Sequence, residues 1–267
     1  MDALADFVAD TVTFDGQSRT VYRKGSGPAV IVIAEVPGIT PAVADFARRV
    51  ADLGATAVMP HLFGTPGKEP SVAYGAQTIA WACVSREFTT WAKGKTSPAI
   101  RWCRQLARHE HERCGGPGVG VVGMCLTGGF ALGMMVDPSV VAPVLSQPSL
   151  PFGMTKAHRG DLGLDDDDVA AVVARAQDPD DDVCVLGLRF SEDRLAPGAR
   201  FSTLTRLLGD RFVGVTIDSG AGNEHGIGRI AHSVLTEDLV DEPGHPTQDA
   251  LVQVLDHFRT RLGLTAG

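Results

Sequence analysis

No run in this 267-residue chain approaches the ~18 consecutive apolar residues that a membrane-spanning helix needs. No basic stripe interrupts a composition of 24 Lys and Arg against 32 Asp and Glu, a formal charge of −8 at neutral pH. A field of that sign repels a phosphate backbone, so nucleic acid is not an expected partner. Internal repeats are absent. Cysteine is scarce: Cys83, Cys103, Cys114, Cys125 and Cys184 are odd in number and form no CxxC pair, which fits neither a disulfide framework nor a zinc knuckle. Met1-Asp2-Ala3 opens the chain without the basic and apolar regions of a secretory signal, so the expected setting is cytoplasmic. What is present is a globular composition, 44% hydrophobic and 21% charged with 31 Gly and 16 Pro, long enough to bury a substantial core.

Hydrophobic patterning supplies the organisation. Residues 10–27 carry short alternating stretches around Asp15-Gly16 and predict an N-terminal hairpin. Continuous apolar runs follow at Ala29–Ala34, Thr56–Met59, Val119–Val122, Val140–Leu145, Val183–Leu188 and Phe212–Ile217, and runs without alternation predict strands buried on both faces. Between them lie helical periodicities at Pro41–Leu53 and near 97–111, 126–135, 164–176 and 199–208, with a last one at 247–262 that puts Leu251, Val254, Leu255, Phe258 and Leu262 on one side. This βα rhythm predicts an α/β fold with a mainly parallel central sheet and helices on both faces, running through residues 1–267 as one domain. Two stretches break it. Residues 60–96 are rich in Pro and Gly and then weakly helical, with Trp81, Phe88 and Trp91; residues 146–182 hold acidic runs, of which Asp165–Asp168 suit a first helical turn and the rest a solvated loop.

The segment most informative about chemistry is Gly118–Gly129, where an apolar strand enters Gly123-Met124-Cys125-Leu126-Thr127-Gly128-Gly129 and then an apolar helix. A strand-turn-helix of this kind holds a nucleophile in a strained conformation at the carboxyl edge of a sheet, and small neighbours let the backbone approach closely. It also sets Cys125 at a helix N-terminus, where partial positive charge favours thiolate. Equally, Cys125 is a small buried hydrophobe before a packing helix, and the turn alone leaves both readings open.

Four segments, that turn among them, share a pattern with the dienelactone hydrolase family. Ala34-Glu35-Val36-Pro37-Gly38 resembles its Q-E-hydrophobic-x-G segment, and Ala57–Phe63 its A-x-x-P-D-L-Y segment. Gly123-Met124-Cys125-Leu126 with Gly128-Gly129 resembles its G-Y-C-x-G-G elbow, and Asp193 with Pro197 its D-x-x-x-P. The resemblance spans about residues 28 to 262 and rests on the order Cys, Asp, His at successive strand ends. It implies an α/β-hydrolase fold and a cofactor-free, metal-independent enzyme acting on a small ester or lactone. In that reading Cys125 is the nucleophile, Asp193 orients the base, and the Val36 and Leu126 amides bind the oxyanion. Glu35 accepts a hydrogen bond from the resting thiol. Ala231-His232-Ser233-Val234 resembles the family's G-H-S-F and implies His232 as base, while His225-Gly226 resembles an H-G variant and keeps His225 as the alternative.

Plainer roles exist for each residue. Glu35 at the end of an apolar strand suits a buried ion pair, and Asp193 after a strand suits a turn cap. Thr127 stands in place of the first Gly of the elbow doublet, where it would narrow the site or hydrogen-bond within it. Position 236 is Thr where members acting on chlorinated muconolactones carry an arginine for the substrate carboxylate, leaving Arg86 as the candidate for that contact, or else an exposed partner of Glu87 or Glu69. Three functions fit these residues: a Cys-His-Asp hydrolase of an ester, lactone or thioester, a ligand-binding or redox-sensing protein on the same scaffold, and an acyltransferase. Monomer and homodimer are both compatible with the composition.

Overall fold

In the computed structural model the described residues are 3–84, 88, 94–149 and 159–265. The chain opens with the expected hairpin, β1 (Val8–Phe14) and β2 (Gln17–Gly25), closed by Asp15-Gly16 with φ of 48° and 77°. Two successive positive φ angles define the tight turn whose twist matches that of paired strands, which is why Asp-Gly occupies it.

Six more strands follow: β3 (Ala29–Ile33), β4 (Thr56–Pro60), β5 (Val119–Met124), β6 (Val140–Ser146), β7 (Val185–Phe190) and β8 (Phe212–Ile217). They assemble into one sheet of order β1-β2-β4-β3-β5-β6-β7-β8, in which β1 and β2 pair antiparallel and every pair from β4 to β8 is parallel. β3, β4, β5 and β7 are buried at every residue, as their apolar runs require, and the burial takes in Thr56 of β4 and Arg189 of β7. β8 is the exception to the sequence reading. It is the last strand of the sheet, and Val213, Gly214 and Thr216 face solvent despite the apolar run.

The helices are α1 (Pro41–Asp52), α2 (Val72–Val84), α3 (Pro98–Cys114), α4 (Phe130–Met134), α5 (Asp166–Gln177), α6 (Gly198–Leu208) and α7 (Pro246–Arg261). Their starts are written locally. Thr40 and Ser97 accept the Val43 and Ile100 amides ahead of Pro41 and Pro98, and Asp165 accepts that of Asp168. Asp166, Asp167 and Asp168 then occupy the first turn of α5, so the acidic run is a helix start, tied down further by Arg104 to Asp168 at 2.5 Å. α1 and α7 cover one face of the sheet; α3, α4, α5 and α6 cover the other. Among the described residues no helix is long and apolar enough to cross a membrane.

α7 packs where its sequence stripe placed it, with Leu251, Val254, Phe258 and Leu262 buried. A Cβ on Gly120 of β5 would lie 2.8 Å from the Phe258 ring, so that ring lies directly on the strand that carries Cys125 at its end. Phe258→Ala is expected to cost about 3–5 kcal/mol through lost burial and a cavity beneath β5, read as a fall in denaturation midpoint with unchanged denaturant dependence.

Candidate active site

All of the parallel strands end at one edge, and the chemistry-bearing residues collect there. β3 runs out into Glu35 and Val36, β5 into Cys125, β6 into Gln147 and Ser149, and β7 into Asp193, while the long segment after β8 brings in His232. A parallel sheet makes this unavoidable, because each carboxyl end opens into a loop on the same side.

Cys125 has φ of 53°, a left-handed conformation for a residue with a side chain, between the end of β5 and a three-residue 3-10 turn, Cys125–Thr127. Two glycines make room for it. A Cβ at Gly123 would lie 2.1 Å from the Thr127 carbonyl oxygen, and one at Gly128 would lie 2.4 Å from Pro148 Cα. The helix expected over 126–135 is thereby broken into that turn and the five-residue α4. So short a helix sums little dipole, and the imidazole described below is the nearer positive partner for the sulfur.

Of the two roles expected for Thr127, the structure shows the hydrogen-bonding one, made to the backbone. Thr127 is fully buried, its Oγ1 accepts the Met124 amide at 3.0 Å, and its hydroxyl hydrogen points to the carbonyls of Met124, Ile33 and Ala34 at 2.9, 3.0 and 3.2 Å. It laces the end of β3 to the elbow. Thr127→Val keeps the volume but strands the Met124 amide, so a loss of about 1–3 kcal/mol is expected in chemical denaturation.

His232 Nδ1 lies 2.7 Å from Asp193 Oδ2, and the Cys125 side chain is close enough to act on the same ring. The other oxygen of Asp193, Oδ1, accepts the amides of Leu195 at 2.9 Å and Ala196 at 3.3 Å. Turn cap and imidazole partner are therefore both true of Asp193, one oxygen for each. Burial works against a charged His232, but the hydrogen bonds with Asp193 and Cys125 and their charges outweigh it and raise its pKa to about 11. Asp238 steadies this loop by accepting the His232 and Ser233 amides, both at 2.8 Å. His225 is elsewhere: exposed, with its ring edge-on to His245 at 5.3 Å. Arg86 lies outside the described residues.

Glu35 is buried, and among the described residues its partners are neutral. Its carboxylate takes hydrogen bonds from the Ser233 hydroxyl at 2.7 Å, the Gln147 amide at 3.2 Å and the Thr236 hydroxyl. Beside it, the Val36 and Leu126 amides have no acceptor among the described residues, as donors reserved for a ligand oxygen would. Sequence reasoning passed over Gln147 and Ser149. The available signal was Ser146-Gln147-Pro148-Ser149, a polar cluster immediately after an apolar strand at the productive edge of the sheet.

Cys103 shows the contrast among the thiols: it is fully buried, and burial pushes it up to about 12 against a small opposing effect of Arg19. Among the described residues no group of three or more His, Cys, Asp or Glu is arranged to hold a metal ion. A cavity of about 470 Å³ opens beside Asp193 and His232, edged by Arg194, Leu195, Arg229 and Ile230.

An eight-stranded, mostly parallel sheet with a strained residue after its fifth strand, an acid after the seventh and a histidine after the eighth defines an α/β-hydrolase. The sequence model of the Dienelactone hydrolase family matches residues 17–229, and the chain belongs to that family of hydrolases. The match ends just before His232, so that residue is located by its contacts. No curated protein matches the chain. Solved structures do: a candidate dienelactone hydrolase from Klebsiella pneumoniae subsp. pneumoniae MGH 78578 is 16% identical with a TM-score of 0.61, over 94% of this chain and 98% of that one. The dienelactone hydrolase-like promiscuous phosphotriesterase P91 from metagenomic libraries is 16% identical with a TM-score of 0.60, over 97% and 100% of the two chains. The thioesterase domain from the curacin biosynthetic pathway shares 10% identity and a TM-score of 0.55 over 94% and 99%. At these identities the likeness is one of fold.

Proposed function

We propose that the protein hydrolyses a small ester, lactone or thioester through Cys125, His232 and Asp193, with an acyl group carried transiently on the cysteine sulfur. The observation that carries this reading is the His232 ring, hydrogen-bonded through Nδ1 to Asp193 and close to Cys125, whose backbone is strained at the turn after β5. Sγ attacks the carbonyl carbon as thiolate, and the carbonyl oxygen becomes an oxyanion received by the Val36 and Leu126 amides, each such donor contributing ~3 kcal/mol in acyl-transfer enzymes. The carbon to leaving-group bond breaks, and the proton on His232 Nε2 passes to the departing oxygen or sulfur. Water then attacks the thioester and gives its proton to Nε2; the carbon–sulfur bond breaks, leaving the acid product and the resting pair.

The surroundings of Glu35 bear on the substrate. Thr236 gives its hydroxyl to that carboxylate, and the neighbouring donors are neutral, which supports an uncharged acyl group over a carboxylate-bearing lactone. A carboxylate would call on Arg86 in the role proposed for it, or on Arg194 or Arg229 at the edge of the cavity. The test is mass spectrometry after rapid acid quench with a chromogenic short-chain ester: an acyl adduct on the peptide holding Cys125 is expected. Turnover with label on no cysteine peptide at any quench time, or label on Cys114 or Cys184 alone, overturns the reading.

A further inference from the structure

Ser149 lies 5% exposed at the end of β6, and three contacts fix it. Its amide donates to the Cys125 carbonyl at 2.8 Å, its hydroxyl donates to the Gln147 carbonyl at 3.0 Å, and its Oγ lies 3.5 Å from His232 Nε2. The hydroxyl hydrogen is thus committed to Gln147, and the lone pairs of Oγ face the imidazole. Among the described residues this oxygen is the hydrogen-bond neighbour of Nε2, and the Cys125 sulfur acts on the same ring.

We propose that Ser149 is a positioning residue for the second half of the reaction, holding the protonated His232 ring when the sulfur is unable to. The inference rests on the acyl-cysteine reading above. Before acylation the sulfur shares that side of the ring as the stronger acceptor, and Ser149 adds little. Acylation turns that sulfur into a neutral thioester sulfur, a weak acceptor. When water attacks and passes a proton to Nε2, an imidazolium forms with no anion on that side. The Ser149 oxygen is the fixed acceptor left there, and it is already oriented because its own hydrogen is spent on Gln147. The proton goes from water to Nε2 and stays there as the carbon–sulfur bond breaks and its electron pair returns to the sulfur; Ser149 neither gains nor loses one. Its hydrogen bond is present in the deacylation transition state and of small consequence in acylation, so its removal acts on one step of two.

Stopped-flow and quench measurements on Ser149→Ala with a p-nitrophenyl ester separate the steps. Expected are a burst of p-nitrophenol at the wild-type rate, then steady turnover about tenfold slower, equivalent to ~1.4 kcal/mol, with acyl-Cys125 accumulating toward one per enzyme. Ser149→Thr, which keeps the oxygen, restores turnover and returns acyl-Cys125 to its wild-type level. Both variants keep the amide that donates to Cys125, and thermal unfolding checks that they fold. Steady turnover in Ser149→Ala equal to wild type overturns the inference alone, as does an equal fall in burst and steady rates or a failure of Ser149→Thr to restore turnover. Turnover without acyl-Cys125 in the wild type overturns the underlying reading, and the inference falls with it.

Discussion

Cys125→Ala is expected to lower ester kcat by roughly 10⁴- to 10⁶-fold while leaving the fold intact. Alanine meets the same backbone strain at φ of 53° that cysteine does, so the substitution removes the sulfur and little else. What remains is the rate enhancement from binding the substrate against the free amides at Val36 and Leu126, without covalent chemistry. Cys125→Ser separates position from acidity: a hydroxyl in the same place is far harder to ionise, so His232 must remove its proton during attack, and activity falls between wild type and alanine. Cys103→Ala is the control, since that thiol is buried among α3 and sheet side chains with its ionisation suppressed. Turnover of Cys125→Ala within tenfold of wild type would place the nucleophile elsewhere.

The sheet was legible in the chain because burial on both faces leaves no alternation to obscure, and each parallel strand is built on an apolar run with polar residues, such as Thr56 and Arg189, only near its ends. β8 misled for the same reason: Phe212–Ile217 is apolar, but its position at the edge of the sheet, a tertiary fact, decides what it faces. The site was legible where a residue's role is local. Gly123 and Gly128 around Cys125 mark a turn, and Asp193 follows a strand. It was illegible where the role comes from residues brought together across the sheet. Glu35 looked like half of an ion pair because a buried carboxylate asks for compensation, yet its hydrogen bonds come from Ser233, Gln147 and Thr236, up to two hundred residues away. Thr127 was expected to meet substrate because it stands where the family has glycine. Packing assigns its hydroxyl to the backbone at the ends of β3 and β5. A substitution at a signature position can reinforce the scaffold as readily as it can reshape the pocket.

The choice between His232 and His225 yields the other large effect. His232→Gln is expected to lower kcat by about 10³- to 10⁴-fold, because it removes the group that returns protons in both halves of the reaction. His225→Gln, at an exposed ring paired with His245, is expected to leave kcat unchanged. The state of His232 gives a second readout. Burial alone would lower its pKa, but Asp193 and Cys125 prevail and raise it to about 11, above the ordinary histidine value near 6.5. A group whose folded pKa is raised contributes stability that is fully present below the unfolded value near 6.5 and is lost as pH rises through about 11. Nitrogen-15 spectra of the resting enzyme at pH 9 should therefore show one ring protonated at both nitrogens, absent in His232→Gln, while the buried His257 ring, lowered to about 4 by desolvation and Arg261, is neutral. The same logic removes an expected feature from the rate profile. A free histidine base produces a rise in kcat/KM centred near pH 6.5, whereas a ring already holding its proton beside Cys125 produces none there. Asp193→Asn withdraws the partner of Nδ1 and brings the imidazole down toward the ordinary range, so the doubly protonated ring is lost at pH 9 and kcat falls with it. A wild-type profile with its main rise near 6.5, or a pH 9 spectrum in which every histidine is neutral, would mean that the proton rests on the sulfur and that His232 takes it only as substrate is attacked.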